Sequence, residues 1–354
     1  VNLTILRIMQ TPENIIIDAT TYIGWIFAGL PFIFLYNLVS GIIRALGDSK
    51  TPLYFLIIAT VLNIFLDFMF IITFNLGIAG AAIATVIAQG VSAVLCIGYM
   101  MKKYEMLRFT RKDMKPEAFL MRELLAAGCS MAFMSSLVQF GTLMLQTAIN
   151  GLGQSIVVAH TAARKVTEIF MMAFSITGSA MCTFTGQNLG AGKCDRIRKG
   201  VKSAVLTAVV FSVFVSAVVF LFARPLLGIF IDASETAILD IGVRYLRIEG
   251  AFYVGIGLLF LLYGLFRAMA RPGMSVILTV ISLGTRVLLA YSLAPIFGVT
   301  AIWWAIPIGC ALADITGFAY YYFKKEDETD LIDVIVRVAI GKHREWIHNR
   351  NIKH

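Results

Sequence analysis

The stretch Gly41–Pro52, GIIRALGDSKTP, has a second version later in the chain, Gly264–Pro272, GLFRAMARP, and the offset between the two decides the fold. Each opens a basic turn that leads through a proline into a long apolar run. Working outward, Thr11-Pro12-Glu13 stands where Ala233-Ser234-Glu235 stands in the later version, and Gly77-Ile78-Ala79 answers Gly298-Val299-Thr300. Self-similarity at an offset of about 220 residues marks an internal repeat. Residue 1 then falls opposite Ala223, inside the second copy, which begins near Met121. On that arithmetic the first copy lacks roughly its leading hundred residues, and a chain that opens on Val1 instead of Met fits a truncated sequence. The expectation is an N-terminally truncated repeat protein.

Hydrophobic residues make up 59% of the 354 and charged ones 14%, too apolar and too weakly charged for a soluble protein of this length. The apolar residues come in blocks at 18–40, 53–74, 78–100, 124–149, 165–186, 203–222, 240–266, 274–296 and 299–323. Each is long enough to cross about 30 Å of hydrocarbon at about 1.5 Å per residue. Only helices satisfy their own backbone hydrogen bonds in lipid, and the alternating ten-residue segments of a barrel are absent. The sequence therefore predicts an all-α polytopic membrane protein with nine spans and a stub at Val1–Met9.

The net charge of +9 is explained by its position. Lys102, Lys103, Arg108, Arg111, Lys112 and Lys115 fall in one connection, and Lys193, Arg196, Arg198, Lys199 and Lys202 in another. Arg44, Lys50, Arg267, Arg271, Lys324 and Lys325 flank the remaining ends on that side, whereas the opposite loops hold almost no Lys or Arg. The positive-inside rule makes the basic side, and with it the C-terminus, cytoplasmic in a plasma membrane, most simply a bacterial inner membrane. The charge is thus no sign of a nucleic-acid partner; membrane lipid is the partner it implies. Cys96, Cys129, Cys182, Cys194 and Cys310 show no CxxC spacing and read as free thiols, without a disulfide framework or zinc site. There is no HExxH, GxSxG or phosphate-cradling glycine loop, so nothing supports an enzyme.

Six spans per repeat is an even number, so both copies enter the membrane from the same side. Such a parallel repeat, related by an axis along the membrane normal, suits two helical lobes rocking about a central pathway. The basic connection 101–122, which contains Pro116, is the natural lobe boundary. Residues 1–100 are then the back half of the first lobe and 123–323 the second. A tail at 324–354 starts Lys324-Lys325-Glu326-Asp327-Glu328 and carries Leu331, Val334, Ile335 and Val338 at helical spacing, so it either lies along the cytoplasmic interface or is a solvated helix.

Several phrases in a fixed order resemble the multidrug and toxic compound extrusion (MATE) transporters: Ile42–Pro52 (IIRALGDSKTP), Val61–Asp67 (VLNIFLD), Gly77–Ala84 (GIAGAAIA), Gly186–Gly192 (GQNLGAG), Tyr245–Ile248 (YLRI) and Ile302–Pro307 (IWWAIP). The resemblance runs to about Phe323. It implies two six-helix lobes with about nine of twelve helices present, the first two and most of the third being absent. It also implies a monomeric exporter of amphipathic, usually cationic small molecules, with no cofactor beyond a coupling Na⁺ or H⁺. The activity implied is secondary antiport by alternating access. A flippase for a lipid-linked sugar shares the two-lobe plan but calls for a cavity richer in Arg and Lys, and a non-transporting scaffold is the remaining alternative.

An ionisable residue inside a span costs several kcal/mol, so each is a functional hypothesis. Counted from Pro52, Asp67 lies about 22 Å along its helix, past the midplane on the outer side. Asn63 is four residues earlier and shares its face. Together they offer a carboxylate and an amide oxygen to a small cation, or a carboxyl group tuned by burial, and Thr85 on the next helix can add a hydroxyl. In the family resembled, an Asn and an Asp of this spacing and a Thr on the following helix contribute to the cation or proton site of the first lobe, and Asn63, Asp67 and Thr85 match those places. That Asp67 caps or bonds a neighbouring helix is the plainer alternative. The second lobe holds Arg247, Glu249, Arg286 and Asp314 inside spans. Glu249 is either a second protonation site or the partner of a nearby Arg, Arg286 fixes packing or touches substrate, and Asp314 is within reach of Arg164 or Arg267. Met131 and Met134, with Gln139 and Gln146, suit either an adaptable substrate cavity or ordinary packing. Pro31 should kink its helix.

Overall fold

The computed structural model describes residues 13–108 and 118–323; the stub, residues 109–117 of the basic connection and the amphipathic tail lie outside them. Among the described residues there are ten α-helices and no strand: α1 (Glu13–Ala45), α2 (Lys50–Phe68), α3 (Gly77–Lys103), α4 (Ala118–Asn150), α5 (Gln154–Gly190), α6 (Cys194–Leu227), α7 (Thr236–Gly250), α8 (Tyr253–Ala268), α9 (Pro272–Phe297) and α10 (Val299–Phe323). A π-helical turn, Met69–Thr73, continues α2. By length and composition eight of these helices are able to cross a membrane, or nine spans if the bent pair α7 and α8 counts as one. The protein is an all-α polytopic membrane protein. Clustering of the helices divides it into two compact units, Val1–Pro116 and Glu117–His354.

In the first unit α1 packs in parallel on α3 through small residues, because lipid supplies no hydrophobic drive and close backbone approach must do the packing. Val86 seats against Gly29, where a Cβ would come within 2.5 Å of it, and Phe32 lies on Gly90. Further along, Val39 and Ile43 form a buried cluster with Cys96 and Met100. α2 runs antiparallel to α3: Thr51 Oγ1 is 3.2 Å from the Tyr99 hydroxyl, the Phe55 and Tyr99 rings are 5.8 Å apart, and Phe70 abuts Gly80. The turn at Asp48 ties these helices together. Its carboxylate accepts the Thr51 backbone N–H (3.1 Å), the Tyr99 hydroxyl (2.7 Å) and the Lys103 ammonium (3.0 Å).

In the second unit α5 and α8 approach so closely that a Cβ on Gly264 would fall 1.9 Å from the Gly178 carbonyl oxygen. α9 and α10 touch the same way at Gly309, where a Cβ would meet the Ser282 carbonyl at 2.3 Å. Gly298, at φ 65°, turns α9 directly into α10. The largest buried cluster gathers Tyr245, Tyr253, Phe174, Phe266 and Trp303 between α5, α7, α8 and α10.

The continuous span expected at 240–266 is in fact broken. α7 and α8 meet at 53° across Ala251 and Phe252. The Gly250 carbonyl, freed by the break, accepts the Ser216 hydroxyl of α6 at 2.6 Å. A broken helix survives in lipid when a neighbour satisfies the freed backbone group in this way. Elsewhere the helices outrun the apolar blocks: 165–186 lies within a 37-residue helix and 203–222 within a 34-residue one. α1 is assigned as one helix through Pro31. α6 departs from helical geometry at Phe222, three residues before Pro225, whose ring and missing N–H disrupt the preceding turn.

Candidate functional site

Among the described residues of the first unit, the buried side-chain atoms without a hydrogen-bond partner are Asn63 Nδ2, Asp67 Oδ1 and Gln89 Oε1. Their depths follow from the antiparallel register. Measured from the level of the Thr51–Tyr99 contact, at about 1.5 Å per residue Gln89 is ~15 Å down the pair, Asn63 ~18 Å, Thr85 ~21 Å and Asp67 ~24 Å. Asn63 lies about 80° around α2 from Phe55, toward the side on which the Pro52 carbonyl accepts the Tyr36 hydroxyl of α1. Gln89 lies about 80° around α3 from Tyr99 and about 60° from Val86, between the strips that meet α2 and α1. The four residues thus form a ladder within ~9 Å of depth, bordering the space among three helices. Thr85 donates its hydroxyl to the Ala81 carbonyl at 3.0 Å, which leaves the oxygen lone pairs available. Buried polar atoms normally find partners, so three orphans within ~9 Å along one helix pair mark the candidate site of the first unit.

Sequence reasoning passed over Gln89. A neutral amide in an apolar run carries less of the desolvation penalty that draws the eye to Asp67, and its relevance appears only once α3 is laid against α2. The available signal was its i,i+4 spacing from Thr85.

The second unit encloses a cavity of ≈ 240 Å³ lined by residues of α4, α5, α7, α8, α9 and α10. Glu249 sits on its wall at 5% exposure and accepts the Thr167 hydroxyl at 2.8 Å. Arg286 lines the same cavity; its Nη2 is 2.8 Å from Cys310 Sγ, and its Nε has no partner. No direct ion pair joins Glu249 to Arg286 among the described residues. Arg164 and Glu168 complete the charged lining and pair with each other at 3.4 Å. The cavity therefore holds two cations and two anions, and among the described residues no group of three acidic, His or Cys side chains is placed to hold a metal.

The other predicted residues stand apart. Asp314 is 8% exposed, with Oδ1 unpartnered and Oδ2 against Gly255. Arg267 donates instead to the Tyr263 carbonyl at 3.1 Å. Arg247, two residues from Glu249, is exposed on the far side of α7, beside Trp304. Met131 and Gln139 are exposed on α4, Met134 is half-buried, and Gln146 donates to Asn150 one turn on at 2.8 Å. None of these four lines the 240 Å³ cavity, to which α4 contributes Val138, Thr142 and Leu145.

Against known proteins, the family model described as MatE matches residues 1–69 and 130–292. The chain is 30% identical over 326 residues to the probable multidrug resistance protein YpnP of Bacillus subtilis, covering 90% of this chain and 71% of that one. It is 22% identical over 318 residues to the multidrug export protein MepA of Staphylococcus aureus, covering 89% and 70%. Its fold superposes with a TM-score of 0.86 on a crystal structure of MATE in the bent conformation, at 23% identity over 94% of this chain and 74% of that one.

Proposed function

Because the chain belongs to the MatE family, it is a multidrug efflux transporter, and we propose that it works as a secondary antiporter, exporting amphipathic or cationic compounds in exchange for Na⁺ or H⁺. The observation that carries this reading is the set of unpartnered polar atoms on Asn63, Asp67 and Gln89, within ~9 Å of one another in depth along α2 and α3. Asp67 supplies the charge that a cation neutralises or a proton occupies. The unpartnered atoms on Asp67 and Gln89 are oxygens, which with the Thr85 hydroxyl suit a small hard cation, whereas the unpartnered atom on Asn63 is its amide nitrogen, a hydrogen-bond donor. Exchange follows if ion and drug each bind the two access states with different affinity. The basic ends of the helices face the cytoplasm in this reading.

A flippase for a lipid-linked sugar finds less support, because the second-unit cavity balances Arg164 and Arg286 with Glu168 and Glu249. The test is efflux of a panel of cationic dyes from membrane vesicles under an imposed Na⁺ or H⁺ gradient. Asp67→Asn, nearly isosteric, should insert normally and lose gradient-driven efflux. Gln89→Leu should keep efflux but need about tenfold more coupling ion for half-maximal rate, the effect of one lost ligand contact. Undiminished efflux by Asp67→Asn at matched expression would overturn the assignment, and whichever gradient drives the wild type identifies the ion.

A further inference from the structure

A groove of ≈ 860 Å³ lies between α5 and α6, floored by Leu261 of α8. At the basic end of the hairpin its rim carries Lys193, Arg196 and Lys199. Spaced by threes, they lie along one face of the first turns of α6. All three are exposed, and among the described residues none has a carboxylate within ion-pair distance. Their neighbour Arg198 pairs with Asp195 at 3.7 Å, and Lys103, Arg164 and Arg224 elsewhere also have acidic partners. No Asp or Glu lines the groove.

Below the cations the walls are mainly apolar, with Ala180, Met181 and Phe184 on α5 and Ala204 and Ala208 on α6, interspersed with the hydroxyls of Thr177, Ser203 and Thr207. The Phe184 ring lies across Gly200, where a Cβ would meet it at 2.1 Å, and small alanines keep the channel open beneath it. From Lys199, the deepest cation, to Ala208 is about 14 Å along α6, close to the ~15 Å depth of one leaflet's hydrocarbon.

We propose that this groove binds one anionic phospholipid, its phosphate held by Lys193, Arg196 and Lys199 and an acyl chain laid along the apolar wall. A cationic drug is repelled by the rim, and a soluble anion leaves the apolar length unused. Basic clusters at a membrane surface attract anionic lipid at about one tenfold step in affinity for each pair of cations or better. The groove adds a fixed place for the chain to that diffuse attraction.

Native mass spectrometry of the full chain, released from detergent with dioleoyl phosphatidylglycerol or dioleoyl phosphatidylcholine at matched concentration, tests this. The wild type should retain a single phosphatidylglycerol in preference to phosphatidylcholine. Lys193→Gln/Arg196→Gln/Lys199→Gln should lose that preference, with affinity down about 100-fold. Ala180→Trp, at an exposed wall position, should lose the lipid with every cation intact. Lys50→Gln/Lys102→Gln, which removes charge from basic helix ends of the first unit, should retain it. Equal retention of the two lipids, or phosphatidylglycerol bound normally by the triple variant, overturns the proposal. So does normal binding by Ala180→Trp, equal loss in the Lys50/Lys102 control, or displacement of the lipid by inorganic phosphate alone.

Discussion

Asp48 shows how much one surface carboxylate can be asked to do. Hydrogen bonds from the Tyr99 hydroxyl, then from Lys103 and from Thr51, hold its carboxyl well below the usual carboxylate range. Its folded value lies below the unfolded one, so its contribution to stability is in place above about pH 4 and is lost as pH falls through the folded value. Asp48→Asn should therefore lower the Tm at pH 7 by about 2 °C, the scale of an exposed, hydrogen-bonded ion pair. The gap should close as the pH drops below about 4, and a gap that widens with acid would contradict the sign. Sequence alone singled out Asn63 and Asp67 because a carboxylate and an amide in an apolar run have few explanations. It was blind to Thr167, the partner of Glu249, because 82 residues separate them and nothing local links a threonine on one helix to a glutamate on another.

For whole helices, the decisive contacts are backbone to backbone. At Gly264 even a methyl group would fall inside the Gly178 carbonyl, and neither partner is the end of a flexible side chain. Gly264→Ala should push α5 and α8 apart and cost more than the ~1–3 kcal/mol of ordinary overpacking. The check is the yield of folded protein and its Tm in detergent; a variant as stable as the wild type would show that the helices yield more easily than their packing suggests. Apolar block lengths made the helices legible, since crossing hydrocarbon leaves the backbone no other option. The break between α7 and α8 was hidden for the converse reason. Gly250-Ala251-Phe252 reads as continuous apolar helix, and only Ser216, on a different helix, reveals the Gly250 carbonyl as a free acceptor.

Across the chain, the repeat sets residues of opposite charge at matched sequence positions: Asp67 is fifteen residues after Pro52 and Arg286 fourteen after Pro272. The second unit thus carries its own tethered cation on the wall of the cavity that contains Glu249. Arg286 there stands where Asp67 stands in the first unit, so the proposed coupling role rests on Asp67. Glu249→Gln, whose amide oxygen can still accept the Thr167 hydroxyl, should slow gradient-driven efflux without abolishing it, whereas Asp67→Asn should abolish it. The reverse ranking in the same vesicle assay would move the coupling ion to the second unit. The two-copy plan was readable from Gly41–Pro52 and its later counterpart, but the charge inside the second cavity emerges only when α5, α7 and α9 are brought together.

The knot at Asp48 also has a mechanical side. It fastens the turn after α1 to the start of α2 and the end of α3, while the far end of α2 passes through the π-helical turn Met69–Thr73. Rods clamped together at one end behave as a lever. With Asp67 about 24 Å from the clamp, a tilt of about 5° carries its carboxylate about 2 Å, the difference between a hydrogen bond made and one broken. Small angular play at the basic end is thereby magnified where the ion would sit.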